Sequence, residues 1–163
     1  MSVPFEQSVT KENLMKAFAG ESQARNRYTI AAEEAKNQNY HVLEQVFTFT
    51  ADQEKEHAEI FYNHLAQMAG ENIAIDGTYP VDITESIIQL LRYAEHNEME
   101  EYGDVYKHFA DVAGQEGFAK ISADFRMIAD IEKTHADRFS QFADLLEQNK
   151  LFISAVSCKW MCL

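Results

Sequence analysis

Proline and glycine are scarce in this chain, at two and six among 163 residues, so long helices can run uninterrupted. Cysteine is scarcer still in effect. Cys158 and Cys162 crowd the C-terminus and make no disulfide framework. Basic residues are outnumbered 27 to 14 by acidic ones, for a formal charge of −13, and such a chain is repelled by nucleic acid and anionic membrane alike. No stretch approaches the ~20 apolar residues of a membrane span. Met1-Ser2-Val3-Pro4-Phe5-Glu6-Gln7 lacks the charged-then-apolar layout of a signal peptide. These absences lead to the expectation of a cytoplasmic protein with no nucleic-acid and no membrane partner.

What is present is an ordinary globular composition, 46% apolar and 25% charged, at a length suited to one domain. Apolar residues recur with a helical period in four segments. The first is expected to open after Thr10 as N-cap, carry Leu14, Ala17/Phe18, Glu21, Ala24, Tyr28, Ala31/Ala32 and Ala35, and stop at Asn37-Gln38-Asn39. The second carries Leu43, Val46/Phe47, Thr50, Glu54, His57, Phe61, His64/Leu65 and Met68, and ends at Gly70. Residues 70–83 show no helical period. Asp82-Ile83-Thr84-Glu85 reads as a capping box opening the third segment. Its stripe is Ile87, Leu91, Ala94, Glu98, Tyr102, Val105, Phe109 and Val112, broken by Gly114-Gln115-Glu116-Gly117. The fourth carries Ile121, Phe125, Ile128, Glu132, His135, Phe139, Phe142 and Leu146. Short loops after the first and third helices predict two antiparallel hairpins joined by one long crossover, an all-α four-helix bundle over residues 1–148.

Each stripe is interrupted near its middle by an acid: Glu21, Glu54, Glu98 and Glu132. A lone buried carboxylate costs several kcal/mol, so four of them, one per helix, need a shared cause. Two come with a histidine three residues on, Glu54-Lys55-Glu56-His57 and Glu132-Lys133-Thr134-His135, about 60° away on the same face. Height along the bundle is an independent test. The midpoint of positions 21 and 54 is 37.5 and that of 98 and 132 is 115, each inside its hairpin turn, so both hairpins level their acids. A cage of carboxylates with two imidazoles suits a pair of iron or manganese ions and argues against a structural zinc. The arrangement is similar to the ferritin-like di-metal pattern. The third helix offers more acids than the cage needs. Glu95 and Glu101 flank Glu98 about 60° to either side, and periodicity does not choose between them as an additional ligand; Glu100 points away.

Phe18-Ala19-Gly20-Glu21-Ser22-Gln23-Ala24-Arg25-Asn26-Arg27-Tyr28 and Thr50-Ala51-Asp52-Gln53-Glu54-Lys55-Glu56-His57 resemble the first- and second-helix motifs of the rubrerythrins, and the likeness runs over essentially the whole chain. That resemblance implies a seventh ligand on the third helix followed by tyrosine, which Glu101-Tyr102 fits. The implied metal set is Glu21, Glu54, His57, Glu98, Glu101, Glu132 and His135, holding two iron ions. The family also carries a C-terminal rubredoxin domain. Lys159-Trp160-Met161-Cys162 resembles its opening, so residues 149–163 read as the start of a truncated rubredoxin-like domain, and a rubredoxin-type iron is implied only where the rest of that domain exists.

The resemblance implies a non-haem di-iron peroxidase that reduces hydrogen peroxide to water, NADH-linked, with electrons from rubredoxin or another small donor, and a homodimer. Tyr28 and Tyr102 are candidate catalytic residues; with Tyr106 they lie on or beside inward faces, where a hydroxyl could serve ligand carboxylates or peroxide. His64 extends the second stripe beyond His57 and more often would be a rim histidine than a functional one. One rival is a ferritin-like ferroxidase or iron-storage protein using oxygen. The other, a metal-free helical interaction module, must tolerate four buried unpaired acids.

Overall fold

The computed structural model describes residues 3–154, 156 and 157, so the expectations placed on Cys158 to Cys162 lie outside the described residues. Four helical rods make the bundle. Two are α1 (Val9–Asn37) and α2 (His41–His64). The third consists of α3 (Ile87–Glu100), a π-helical turn (Glu101–Val105) and α4 (Tyr106–Glu116), and the fourth is α5 (Ala119–Glu147). Short 3₁₀ turns cover Phe5–Gln7 and Ala66–Met68. Helix α1 packs along α2 and the 87–116 rod along α5, each pair more extensively than either hairpin packs on the other. Among the described residues no helix is long and apolar enough to cross a membrane.

Helix ends follow local chemistry and correct three expectations. Helix α1 opens at Ser8, whose Oγ accepts from Lys11 N at 3.1 Å, rather than at Thr10. Thr10 is buried because Glu116, at the far end of α4, accepts from Val9 N (3.0 Å), Thr10 N (2.8 Å) and Thr10 Oγ1 (2.6 Å). A carboxylate here satisfies first-turn N–H groups and meets the positive helix end. Helix α2 ends at His64, six residues before Gly70, with a 3₁₀ turn between. The expected capping box at 82–85 does not form. Ser86 caps α3 through Gln89 N at 3.3 Å, and Asp82 turns instead to Arg27 and Asn97. Both hairpin turns use a left-handed residue, Asn39 (φ 64°) and Gly117 (φ 95°).

The π turn changes the third stripe. Up to Glu98 the buried residues are those expected, Ile87, Leu91, Ala94 and Glu98, joined by Leu90 and Asn97. Past it the buried residues are Tyr106, Ala110 and Ala113, one position later than the expected Val105, Phe109 and Val112. A π turn inserts one extra residue, which rotates everything after it by about 100°. The stripe is therefore continuous in space but not in sequence.

The apolar interior has two parts. One joins residues such as Tyr28, Leu43, Phe47, Leu91 and Phe139; the other joins Leu14, Phe61, Tyr106, Phe125 and Ile128. Between them, on every rod, lie the acids and histidines of a buried polar layer.

Candidate metal centre

Glu21 from α1, Glu54 and His57 from α2, Glu98 from α3, and Glu132 and His135 from α5 are all buried, none more than 4% exposed. They form two overlapping clusters. Glu21, Glu54, His57 and Glu132 make one; Glu54, Glu98, Glu132 and His135 make the other, with ligand atoms in each within 4.8 Å of one another. Glu132 puts Oε1 2.8 Å from His57 Nδ1 and Oε2 2.8 Å from His135 Nδ1. Glu54 does the same in reverse, Oε2 at 3.4 Å from His57 Nδ1 and Oε1 at 3.1 Å from His135 Nδ1. Glu21 completes the first cluster (Oε2, 3.9 Å from His57 Nδ1) and Glu98 the second (Oε2, 3.5 Å from His135 Nδ1). The geometry has two half-sites, each with its own histidine and terminal glutamate, sharing two carboxylates that present one oxygen to each side.

These close approaches are not hydrogen bonds. Glu21 Oε2, Glu98 Oε2, both oxygens of Glu54 and of Glu132, and Nδ1 of both histidines are buried without a hydrogen-bond partner. Buried lone pairs aimed at one another are costly unless a cation lies between them. Oxygen-rich, thiolate-free ligation with one imidazole per half-site is the donor set of iron or manganese.

The electrostatics tell the same story. Burial, then Glu132 and Glu54, push the Glu21 carboxyl well above its usual range; burial and then Glu54 do so for Glu98. Burial also raises Glu54, but His135 and His57 outweigh it and hold Glu54 down at about 2. Burial lowers both imidazoles, and the carboxylates overcome it: Glu132 and Glu54 raise His57 to about 9, and the same two with Glu98 raise His135 to about 12. With only its own groups, the layer traps protons where cations would relieve the repulsion.

Two tyrosines anchor the terminal glutamates. Tyr28 Oη donates to Glu98 Oε1 and Tyr106 Oη to Glu21 Oε1. Burial raises both hydroxyl pKa values, so both stay protonated donors. Tyr102 is half-buried against the second apolar cluster, with Lys107 Nζ 3.7 Å from its ring centroid.

Glu101 is half-buried at the edge of the layer, where burial and then Glu98 raise its carboxyl well above the usual range. Glu95 instead pairs with Arg92 at 2.8 Å, in a cluster with Asp144 and Glu147. Glu100 is exposed beside His96, and His64 binds Asp124 at 2.7 Å between α2 and α5. Sequence reasoning left three neighbours of the layer unread. Asp82 on the crossover takes Arg27 (2.5 Å) and Asn97 (2.9 Å), and Arg27 and Asn97 are the chain neighbours of Tyr28 and Glu98.

A family model described as Rubrerythrin matches residues 12–143. The chain is 42% identical over 154 residues to the rubrerythrin of Clostridium perfringens, spanning 94% of this chain and 79% of that protein. It is 41% identical over 155 residues to the rubrerythrin of Porphyromonas gingivalis, with 95% and 76% covered. Among solved structures it is similar to nigerythrin in a mixed-valence state, with TM-score 0.75 and 30% identity over 90% of this chain and 70% of that one. Symerythrin from Cyanophora paradoxa, reduced with dithionite, matches with TM-score 0.74 over 90% and 89% at 17% identity, a likeness of fold alone.

Proposed function

The chain belongs to the rubrerythrin family, and on that premise we propose that it is a cytoplasmic non-haem di-iron peroxidase that reduces hydrogen peroxide to water in defence against oxidative stress. The buried cluster fits a non-haem di-iron centre. The observation that carries the reading is the pair of half-sites sharing Glu54 and Glu132, whose buried oxygens have no donor to meet. A nigerythrin structure is described as all ferrous, which supports iron as the metal.

Glu54 and Glu132 would bridge the two ions, with Glu21 and His57 on one and Glu98 and His135 on the other. Two ferrous ions supply, when bound, the two electrons that break the O–O bond, and polarise its oxygens as Lewis acids. The tyrosines fix one oxygen each of Glu21 and Glu98, leaving the other oxygen of each carboxylate facing inward. The two apolar clusters exclude water from both ends of the layer. Glu101 can hold a proton on its carboxyl for a departing oxygen and, as the seventh ligand the family resemblance implies, can reach in or withdraw. Electrons would come from NADH through rubredoxin or another small donor, and the protein would act as a homodimer.

The test is metal content, followed by anaerobic reaction of the reduced protein with peroxide and with oxygen. About two irons per chain, oxidised much faster by hydrogen peroxide than by oxygen, is the expected result. Faster oxidation by oxygen would assign the chain to the ferroxidase class, and a folded protein that binds no metal would overturn both readings.

A further inference from the structure

Six of the seven candidate ligands are sealed; Glu101 is the one that reaches a cavity. That cavity, about 210 Å³, lies between the crossover and the junction of α3 with α4. Its lining includes Glu101 and Tyr106, whose hydroxyl donates to Glu21, so it abuts the metal layer. Tyr79 forms a wall from the crossover side. Its ring rests on α1 over Gly20, where a Cβ would lie 3.9 Å from Cε1, and its hydroxyl donates to Lys16 O at 3.4 Å. Gly77 lets the ring lie back along the strap, since a Cβ there would sit 3.2 Å from the Tyr79 hydroxyl. Ala17, Val105 and Phe109 add carbon surface.

Hydrogen peroxide, little larger than a water at about 30 Å³, needs neither this volume nor this lining. The charges on the rim narrow the choice of ligand. Lys16 is held by Asp76 at 2.8 Å and Arg27 by Asp82 at 2.5 Å, so neither cation is spare, while Glu100 adds negative charge. An anionic ligand is disfavoured and a neutral one with an apolar body is favoured.

We infer that the chamber between Tyr79 and Glu101 binds the carbon-bearing part of a small neutral organic hydroperoxide, with the O–OH end directed at the metal layer beside Glu101. This rests on the peroxidase reading. The hydroperoxide ROOH takes up two protons and two electrons, one from each of two ferrous ions that become ferric; its O–O bond breaks, and ROH and one water leave. Tyr79 is then a residue that sets substrate preference.

The test uses the iron-loaded full chain. Ligand-observed saturation-transfer NMR with cumyl alcohol, the alcohol product of cumene hydroperoxide, reads the chamber without turnover. Wild type should show transfer to the phenyl protons, Tyr79→Phe should keep it, and Tyr79→Ala should weaken binding about tenfold, as expected for loss of an aromatic wall. In steady state, Tyr79→Ala should raise KM for cumene hydroperoxide about tenfold more than KM for hydrogen peroxide. No transfer in wild type, an equal KM change for both peroxides, or equal turnover of an anionic fatty-acid hydroperoxide would each overturn the inference. Should wild type fail to reduce hydrogen peroxide at all, the peroxidase reading falls, while the NMR measurement still decides whether the chamber binds.

Discussion

Tyr28 and Tyr106 hold matching posts, one hydroxyl on the terminal glutamate of each half-site. Replacing Tyr106 with phenylalanine strands Glu21 Oε1 in an apolar wall, and loss of such an outer partner typically costs ten- to a hundredfold in metal affinity or activity. Tyr106→Phe should therefore lower peroxide kcat/KM by about tenfold or more. Tyr102→Phe, whose ring sits under Lys107, should lower it less than about threefold. Equal losses in the two variants would show that Tyr106 has no privileged role. A second comparison concerns the acids beside Glu98. Glu101 faces the layer and Glu95 faces Arg92, so Glu101→Ala should impair peroxide turnover and Glu95→Ala should cost only an exposed ion pair, about 1 kcal/mol or less of stability. The reverse order in a turnover assay would transfer the seventh-ligand assignment to Glu95.

The π turn is the element on which the site depends most. It lets Glu98 and Tyr106 face the same interior although eight positions separate them. Deleting Gly103, where a built Cβ would touch nothing, removes no packing of its own but restores a plain α-helix. Tyr106, Ala110 and Ala113 would then follow Glu98 by seven, eleven and fourteen residues, the spacing of one regular helical face, and keep their places in the core. Deletion and Gly103→Ala should therefore both stay within about 1 kcal/mol of wild type by thermal unfolding. A deletion that costs several kcal/mol would show that the turn does more than carry one extra residue. The same element marks the limit of what the sequence reveals. Glu21, Glu54, His57, Glu98, Glu132 and His135 were legible because each sits on a regular stretch of helix, where a fixed 3.6-residue period and equal distance from a turn carry straight into space. Tyr106 was legible only as a tyrosine on or beside an inward face, grouped with Tyr28 and Tyr102, because no fixed period registers the one-residue slip that puts it fully in the core. The Asp82 clasp and the Glu116 cap were hidden for another reason: Asp82 is 55 positions from Arg27 and Glu116 is 106 from Thr10, and no local pattern encodes such pairings.

For the molecule as a whole, the polar layer makes stability depend on pH and metal together. In the metal-free protein, His57 near 9 and His135 near 12 lie above the unfolded histidine value of about 6.5, and Glu21, Glu98 and Glu101 lie above the unfolded glutamate value of about 4.3. Groups raised on folding stabilise fully below their unfolded pKa and lose that contribution as pH rises. Glu54, lowered to about 2, acts oppositely, but only between about 2 and about 4.3. Metal-free protein should thus lose thermal stability from about pH 5 to about pH 9, while metal binding, which displaces those protons, strengthens. The gap in Tm between iron-loaded and stripped protein should widen over that range, and a constant or narrowing gap would count against the buried layer as the ligand set. One more effect follows from the layer's position between two separate apolar clusters. Stripped of cations, the bundle contains a repulsive seam, and its two ends are free to open as independent units. Amide hydrogen exchange should then give distinct protection for the Leu43–Phe47–Phe139 end and the Phe61–Phe125–Ile128 end, merging into a single cooperative unit when iron is bound. What iron supplies to the fold, on this view, is less added strength than unity.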